Sequence, residues 1–331
     1  MPSIAVVALP DAILSGVLGP MEIFALANQI VETRSGRHCP VPFPNISLVA
    51  TERGSVVGST GVSLRSDQSL EECQADIVIL PPVGGNVVDH LGDRSLINWL
   101  KQQQEVGTIL ASSCAGAFFL AEAGLLDEKP ATTHWYLADL FRVRYPLVDL
   151  QPQRMLVDGG AYICAGGVMA WQDLALHIIA RFCDLELAAQ CAKMFVMDGT
   201  RQAQTPYFMF DSPRDDTDQS IDPGVQHTLR WMKGHYQDAV SVDELAGMAH
   251  LGIRTFLRRF KHATGQTPMG YLQQLRIEAA RQYLEITTKT IEEVIGLCGY
   301  HDSSAFRRVF KEKTGLTPKE YRRRFSRLSE V

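Results

Sequence analysis

Phe306-Arg307-Arg308-Val309-Phe310-Lys311, then Thr314-Gly315-Leu316-Thr317-Pro318 and Tyr321, is the second appearance of one pattern in this chain. The first is Phe256-Leu257-Arg258-Arg259-Phe260-Lys261, then Thr264-Gly265-Gln266-Thr267-Pro268 and Tyr271, fifty residues earlier. Upstream, Ser241-Val242-Asp243-Glu244-Leu245-Ala246 matches Thr290-Ile291-Glu292-Glu293-Val294-Ile295 at an offset of forty-nine, so the second copy has one extra residue in its turn. Two copies are too few for a solenoid and suit a duplicated supersecondary unit.

The spacing inside each copy is that of a helix-turn-helix. Ser241 with Glu244, and Thr290 with Glu293, have the separation of a capping box at a helix start. A short apolar helix follows, then a turn holding Gly252 in the first copy and Gly299 in the second, then a helix with adjacent arginines. The phenylalanines recur every four residues, so each pair packs one helix face into a core. The other face presents Arg254, Leu257, Arg258 and Lys261 in the first copy. In the second it presents Ser303, Ser304, Arg307, Arg308 and Lys311. An arginine fork matches guanine edges or phosphate oxygens, whereas Leu257 suits only an apolar edge such as a thymine methyl. For each arginine, a phosphate contact or a solvated surface charge stays open beside a base contact.

The region from about Val240 to Phe325, with the amphipathic helix Pro268 to Leu284 joining the copies, resembles the AraC/XylS family of transcription regulators. Gly299-Tyr300, the arginine helix, and Thr314-Gly315-x-Thr317-Pro318-x-x-Tyr321-Arg322 carry the resemblance. It implies base-facing roles for Arg254, Leu257, Arg258, Ser304, Arg307 and Arg308, and structural roles for Gly315, Pro318 and Tyr321. Two such units are expected to enter successive major grooves of double-stranded DNA.

Charge is distributed to match. The chain has 331 residues and a net charge of −5. From Gln226 to Val331 there are 18 Lys/Arg against 11 Asp/Glu, a net of +7; Met1 to Val225 carries 14 against 26, a net of −12. A basic part on an acidic part is expected of a DNA-binding domain joined to something else, although a solvated helical domain has the same balance. Apolar residues make up 46%, with no run long enough to span a membrane and no secretory leader pattern at Met1 to Pro10, so the cytoplasm is expected. The cysteines Cys39, Cys73, Cys114, Cys164, Cys183, Cys191 and Cys298 form no C-x-x-C pair. Neither disulfides, a metal nor another cofactor is expected.

The first part alternates strands and helices. Ser3 to Leu9, Ile46 to Ala50, Ala75 to Leu80, Thr108 to Ser112 and Tyr162 to Ala165 read as short buried strands. Met21 to Ile30 (opened by Gly19-Pro20), Leu96 to Glu105, Gly116 to Ala123, Trp171 to Phe182 and Leu185 to Met197 read as helices. This predicts an α/β domain with a parallel sheet covered by helices on both faces, followed by an all-α domain with two helix-turn-helix units. Gln204 to Gly224 holds Pro206, Pro213 and Pro223 with Asp211, Asp215, Asp216, Asp218 and Asp222, a solvated composition. The expected divisions are a sensor domain over 1–203, a linker over 204–224 and a DNA-binding domain over 225–331.

Cys114 stands between a strand and a helix, in Ser113-Cys114-Ala115-Gly116, the position of a nucleophile on a tight elbow. Helix N-terminal amides there are expected to lower its pKa. Gly84 and Gly85, after Leu80-Pro81-Pro82-Val83, are candidate oxyanion donors facing the same pocket. These residues, with Thr132-Thr133-His134-Trp135, Ala165-Gly166-Gly167 and Asp173-Leu174-Ala175-Leu176-His177, resemble the ThiJ/PfpI, class I glutamine amidotransferase-like superfamily, in its GlxA-like branch fused to AraC-type domains. The resemblance implies a flavodoxin-like domain, a homodimer and a small-molecule effector, with an amino acid or related nitrogenous metabolite favoured. The chain departs from the superfamily's enzymes. Ser15 stands where they place an acid, with Asp11 and Glu22 off register, and Ala115 stands where peptidase-like members carry a histidine. The expected pocket is Ser15, Gly84, Gly85, Cys114, Ala115 and His134, used for sensing and not for catalysis. A hydratase or amidase-type enzyme, or a redox sensor using Cys114, is the alternative.

Overall fold

The computed structural model describes residues 1–35, 40–66, 68–199, 201–209 and 221–326. Cys39 and residues 210–220 of the expected linker lie outside the described residues. The chain divides into two units, Met1–Gln204 and Thr205–Val331.

The strands of the first unit are β1 (Ile4–Val7), β2 (Ile46–Ala50), β3 (Gly54–Val57), β4 (Ser63–Ser66), β5 (Gln68–Ser69), β6 (Ile77–Leu80), β7 (Ile109–Ser113), β8 (Pro130–Ala131), β9 (Asp149–Leu150), β10 (Leu156–Asp158) and β11 (Tyr162–Ala165). Seven of them form one sheet in the order β10-β11-β7-β6-β1-β2-β5. Every pairing in it is parallel except β10 with β11. The helices are α1 (Ser15–Ser35), α2 (Arg94–Glu105), α3 (Ala117–Glu122), α4 (Ala138–Arg144), α5 (Trp171–Phe182) and α6 (Leu185–Met194). β1, β6 and β11 are buried residue after residue, as strands are when helices cover both sides of a parallel sheet. α1, α5 and α6 pack on one another, and α2 packs on α3.

α1 differs from the sequence expectation. It starts at Ser15, not after Gly19-Pro20, and Pro20 lies inside it. The glycines are there for close approach: a Cβ on Gly16 would meet the Pro82 ring at 2.3 Å, and one on Gly19 the Trp171 indole at 2.4 Å. The antiparallel hairpin β3–β4 has no counterpart in the sequence expectation.

In the second unit a short turn at Thr205–Tyr207 precedes α7 (Pro223–Gly234), α8 (Val242–Met248), α9 (Ile253–Thr264), α10 (Pro268–Ile286), α11 (Ile291–Leu297), α12 (Ser303–Thr314) and α13 (Pro318–Phe325). Both expected capping boxes form. The Ser241 hydroxyl accepts from the Glu244 N–H at 3.2 Å while Glu244 accepts from the Ser241 N–H at 2.7 Å; the Thr290–Glu293 distances are 3.2 and 2.6 Å. Thr290→Ala is therefore expected to lower stability by about 1 kcal/mol in urea unfolding, with the recognition face unchanged. The duplication extends into the cores. The Phe256 and Phe260 rings lie 5.4 Å apart and tilted, and Tyr271 meets Phe260 edge-on at 5.6 Å. Phe306, Phe310 and Tyr321 repeat this at 5.5 and 5.4 Å. α9 and α12 end in left-handed Gly265 and Gly315, at φ +72° and +75°.

The turns of the two copies are less alike than their sequence suggests. Gly252 caps α9 at φ −65°, the place held by Asp302 at the start of α12. The left-handed turn residue in the first copy is His250, at φ +53°, and its counterpart is Gly299, at φ +72°.

Candidate nucleic-acid interface and effector site

α9 and α12 each turn their phenylalanines inward and their charges out. Arg254, Leu257, Arg258 and Lys261 are exposed on α9 while Phe256 and Phe260 are fully buried. Ser303, Ser304, Arg307, Arg308 and Lys311 are exposed on α12 while Phe306 and Phe310 are fully buried. Leu257 leaves 37% of its surface in solvent, an apolar spot on an otherwise charged face. Two details escape the sequence. Arg307 donates to Glu292 on α11 at 2.6 Å, so one end of its exposed guanidinium is already engaged. Arg259, beside Arg258, turns to Asp222 at the start of α7 and holds the first copy together.

The two copies are joined by more than α10. Arg276 donates to the carbonyls of Tyr236 at 2.7 Å and Asp238 at 3.0 Å, and its guanidinium lies 5.5 Å over the Tyr300 ring. A Cβ on Gly299 would stand 2.2 Å from the Gln237 carbonyl oxygen, so the turn of the second copy is pressed against residues 236–238.

In the first unit, Cys114 is at φ +54°, the strained backbone of an elbow. The small Gly116 admits the neighbouring strand end: a Cβ there would lie 2.7 Å from the Leu80 carbonyl oxygen. The Ile13 N–H donates to Pro82 O at 2.9 Å, which draws the start of α1, with Ser15, to the same place. The Thr133 hydroxyl donates to Cys114 O at 2.8 Å, which brings His134 to the neighbourhood. These contacts bring the segments that carry Ser15 and His134 to the ends of β6 and β7, where Cys114 and Ala115 are buried while Ser15 and Gly85 are exposed.

Two expectations about its chemistry are corrected. The Cys114 thiol is only 4% exposed, and burial pushes its pKa up to about 12, outweighing the hydrogen bond from the Ala115 backbone. Gly84 is not a spare donor, because its N–H is given to Asp11 O at 2.8 Å. Of the off-register acids, Asp11 points its carboxylate at His90 Nε2, 3.8 Å away, and Glu22 is exposed on α1. His134 accepts the Tyr136 N–H at Nδ1, and burial lowers its pKa, which favours the neutral ring.

Comparison with known proteins settles the kinship. Residues 43–181 match the DJ-1/PfpI family, and residues 245–324 match a helix-turn-helix domain. An HTH-type transcriptional regulator of Mycobacterium tuberculosis is 31% identical over 260 residues, 76% of this chain and 96% of that one. The chain belongs to this family of HTH-type transcriptional regulators. GbdR of Pseudomonas aeruginosa is 27% identical over 97% of this chain and 84% of its own. GlxA of Rhizobium meliloti is 24% identical over 86% of each. The chain is accordingly a DNA-binding transcription regulator built from a flavodoxin-like DJ-1/PfpI domain and an AraC-type helix-turn-helix domain. Among the described residues no helix is long and apolar enough to cross a membrane.

The regulator also contains buried polar residues that the sequence did not single out. Gln204, at the head of the expected linker, is 1% exposed. Arg281, in the last third of α10, is 2% exposed. The state of Cys114 makes a checkable statement. Its folded pKa lies above the ~8.5 of an unfolded cysteine, so below that pH both states hold the proton and stability is unaffected. As pH rises further, only the unfolded thiol ionises, and stability falls. Iodoacetamide at pH 8 is therefore expected to leave Cys114 unmodified in the native regulator and to alkylate it only after urea unfolding, as read by peptide mass. Rapid native alkylation would return Cys114 to the reactive class.

Proposed function

We propose that the exposed faces of α9 and α12 read DNA, and that the first unit senses a small molecule without chemical conversion. The observation that carries the reading is the duplicated arginine face, set twice on an identical phenylalanine-and-tyrosine core. α10, at 1.5 Å per residue, is about 28 Å long, near the ~34 Å that separates major grooves on one side of a duplex. In this reading Arg254, Leu257, Arg258, Ser304, Arg307 and Arg308 face bases. Lys261, Ser303 and Lys311 sit beside phosphates, and binding weakens steeply with salt.

The effector site is assigned to Ser15, Gly84, Gly85, Cys114, Ala115 and His134. Its character supports binding over catalysis: a protonated, buried thiol has no nucleophile to offer. The Ser113 hydroxyl beside the elbow is buried without a hydrogen-bond partner, which suits a ligand with polar groups. The resemblance to the GlxA-like branch favours an amino acid or related nitrogenous metabolite. We assign the regulator to the cytoplasm and to a homodimer on repeated half-sites.

A thermal-shift screen of free amino acids, betaines and their amides on the full chain tests the site. A binding metabolite is expected to raise Tm in wild type, and Ser15→Trp is expected to remove the shift while DNA binding stays. Shifts that persist in both Ser15→Trp and His134→Ala would move the effector elsewhere.

A further inference from the structure

Gln204 ends the first unit and Thr205 begins the second. The Gln204 side chain sits in a cage of backbone and hydroxyl groups. Its Nε2 lies 2.8 Å from Thr133 O, 2.9 Å from Pro152 O, 3.1 Å from Arg154 O and 3.2 Å from Thr132 Oγ1. Its Oε1 accepts from the Trp135 N–H at 3.2 Å, and its backbone N–H donates to Gln153 O at 2.9 Å. Gly166 makes room for it, since a Cβ there would fall 2.0 Å from Nε2. An amide has two protons and two acceptor lone pairs, so both protons are shared among the four acceptors, and the oxygen has one lone pair engaged by Trp135. The cage shares Thr133 with the elbow, through the hydroxyl that donates to Cys114 O.

The next four residues are anchored in the reader. Phe208 O accepts from Arg281 Nη1, and Arg281 lies 5.8 Å over the Tyr321 ring. Tyr207 meets Phe325 edge-on at 5.4 Å, and its hydroxyl accepts from Arg324 at 2.8 Å. Tyr321 in turn packs on Phe310 of α12. A Cβ on Gly315, which ends α12, would be 3.7 Å from Thr205.

A flexible linker lets one domain move without the other. Here the anchor of the first unit and the anchors of the second occupy consecutive residues. Pulling Gln204 out removes a donor from a set of carbonyls, and pulling Phe208 out leaves the buried Arg281 guanidinium with Glu278 as its remaining hydrogen-bond partner; each is costly. Displacement on one side is therefore transmitted before it is absorbed.

We infer that residues 204–208 form a short tether through which the Thr133–Gln204 cage beside the Cys114 elbow and the α12–α13 reader bias each other's conformation. The inference deepens the sensing assignment, and rests on it for the role of a ligand. By linkage the bias is reciprocal, so DNA must be felt at the cage just as an effector is felt at the reader.

The test uses that reciprocity and no small molecule. Hydrogen exchange is followed in the full chain with and without a duplex that wild type has selected from a random pool. Binding is expected to change exchange at residues 113–116 and 132–136 by about threefold or more. Inserting Gly-Ser-Gly-Ser-Gly-Ser between Gln204 and Thr205 keeps every anchor but adds slack. That variant is expected to bind the duplex within about twofold of wild type and to show no change at those residues. An absent response in wild type, or an unchanged response in the insertion variant, overturns the tether. Loss of DNA binding by the insertion variant overturns it too, because the anchors would then not be self-sufficient. Failure here leaves the thermal-shift test of the effector site standing.

Discussion

The full chain carrying alanine at Arg254, Arg258, Arg307 and Arg308 is expected to lose specific DNA binding altogether. An arginine bidentate to a base edge is worth about 1–3 kcal/mol of discrimination. Even at the low end, four such losses come to about 4 kcal/mol, or roughly a thousandfold in Kd. That would merge specific with non-specific affinity. The single substitutions should not be equal. Arg307 is already paired with Glu292 in the free regulator, so part of what Arg307→Ala removes is that exposed ion pair. It also leaves Glu292, exposed on α11, without its arginine partner. Arg308 and Arg258 are exposed on their helices, and their loss should report the full contact. Anisotropy titrations against a selected duplex at several salt concentrations separate the two classes. A phosphate-contacting arginine flattens the salt dependence by about one counterion, and a base-contacting one relaxes specificity at its position. Wild-type affinity in the quadruple variant would remove both faces from the reader.

The reader was legible because its determinants are local. Capping boxes, four-residue phenylalanine spacing and left-handed Gly265 and Gly315 are all encoded within a turn or two of helix, and duplication displayed each of them twice. What failed was non-local or used a residue against type. His250 holds the left-handed position that Gly299 holds in the other copy, at φ +53°. Histidine gives no warning of this, and the nearby Gly252 does not hold the left-handed position. Gln204 sits among prolines and acids, and its composition reads as solvent-facing; only the folded positions of residues 132–135 and 152–154 reveal it as buried. The hairpin β3–β4 leaves Val57 and, at its tip, Val62 about half exposed, so it lacks the buried-face signature by which strands are recognised. The elbow was found from its order of strand, cysteine and helix. Its chemistry is not legible there, because the competition between helix amides and desolvation is decided by burial, and burial at Cys114 comes from parts of the chain far apart in sequence.

Gly299→Ala is expected to cost the regulator more than any other single methyl group added to the second unit. Two penalties coincide. A left-handed alanine costs about 1 kcal/mol or more. The new Cβ would also stand 2.2 Å from the oxygen, and 2.8 Å from the carbonyl carbon and Cα, of Gln237. These are backbone atoms, so no side-chain rotation relieves the clash. The turn at 236–238 must retreat, and it is the turn that Arg276 holds through the Tyr236 and Asp238 carbonyls. Hydrogen bonds from a charged donor are worth about 1.5–3 kcal/mol each, so the total loss should reach about 3–5 kcal/mol. Gly252→Ala is the internal control. Its φ of −65° suits any residue, and nothing lies within 4 Å of the added Cβ. Because glycine is preferred to alanine at a helix N-cap, it should cost only about 0.5–1 kcal/mol. The same contact sets how α9 is presented relative to α12, since residues 236–238 lead into the first copy and Gly299 lies in the turn of the second. Gly299→Ala should therefore weaken binding to a duplex carrying both sub-sites far more than to one carrying a single sub-site, even at a temperature where the variant is folded. Urea unfolding followed by paired titrations on the two duplexes measures both effects. A Gly299→Ala chain that unfolds like wild type and keeps the full advantage of the second sub-site would show that α10 alone fixes the pair.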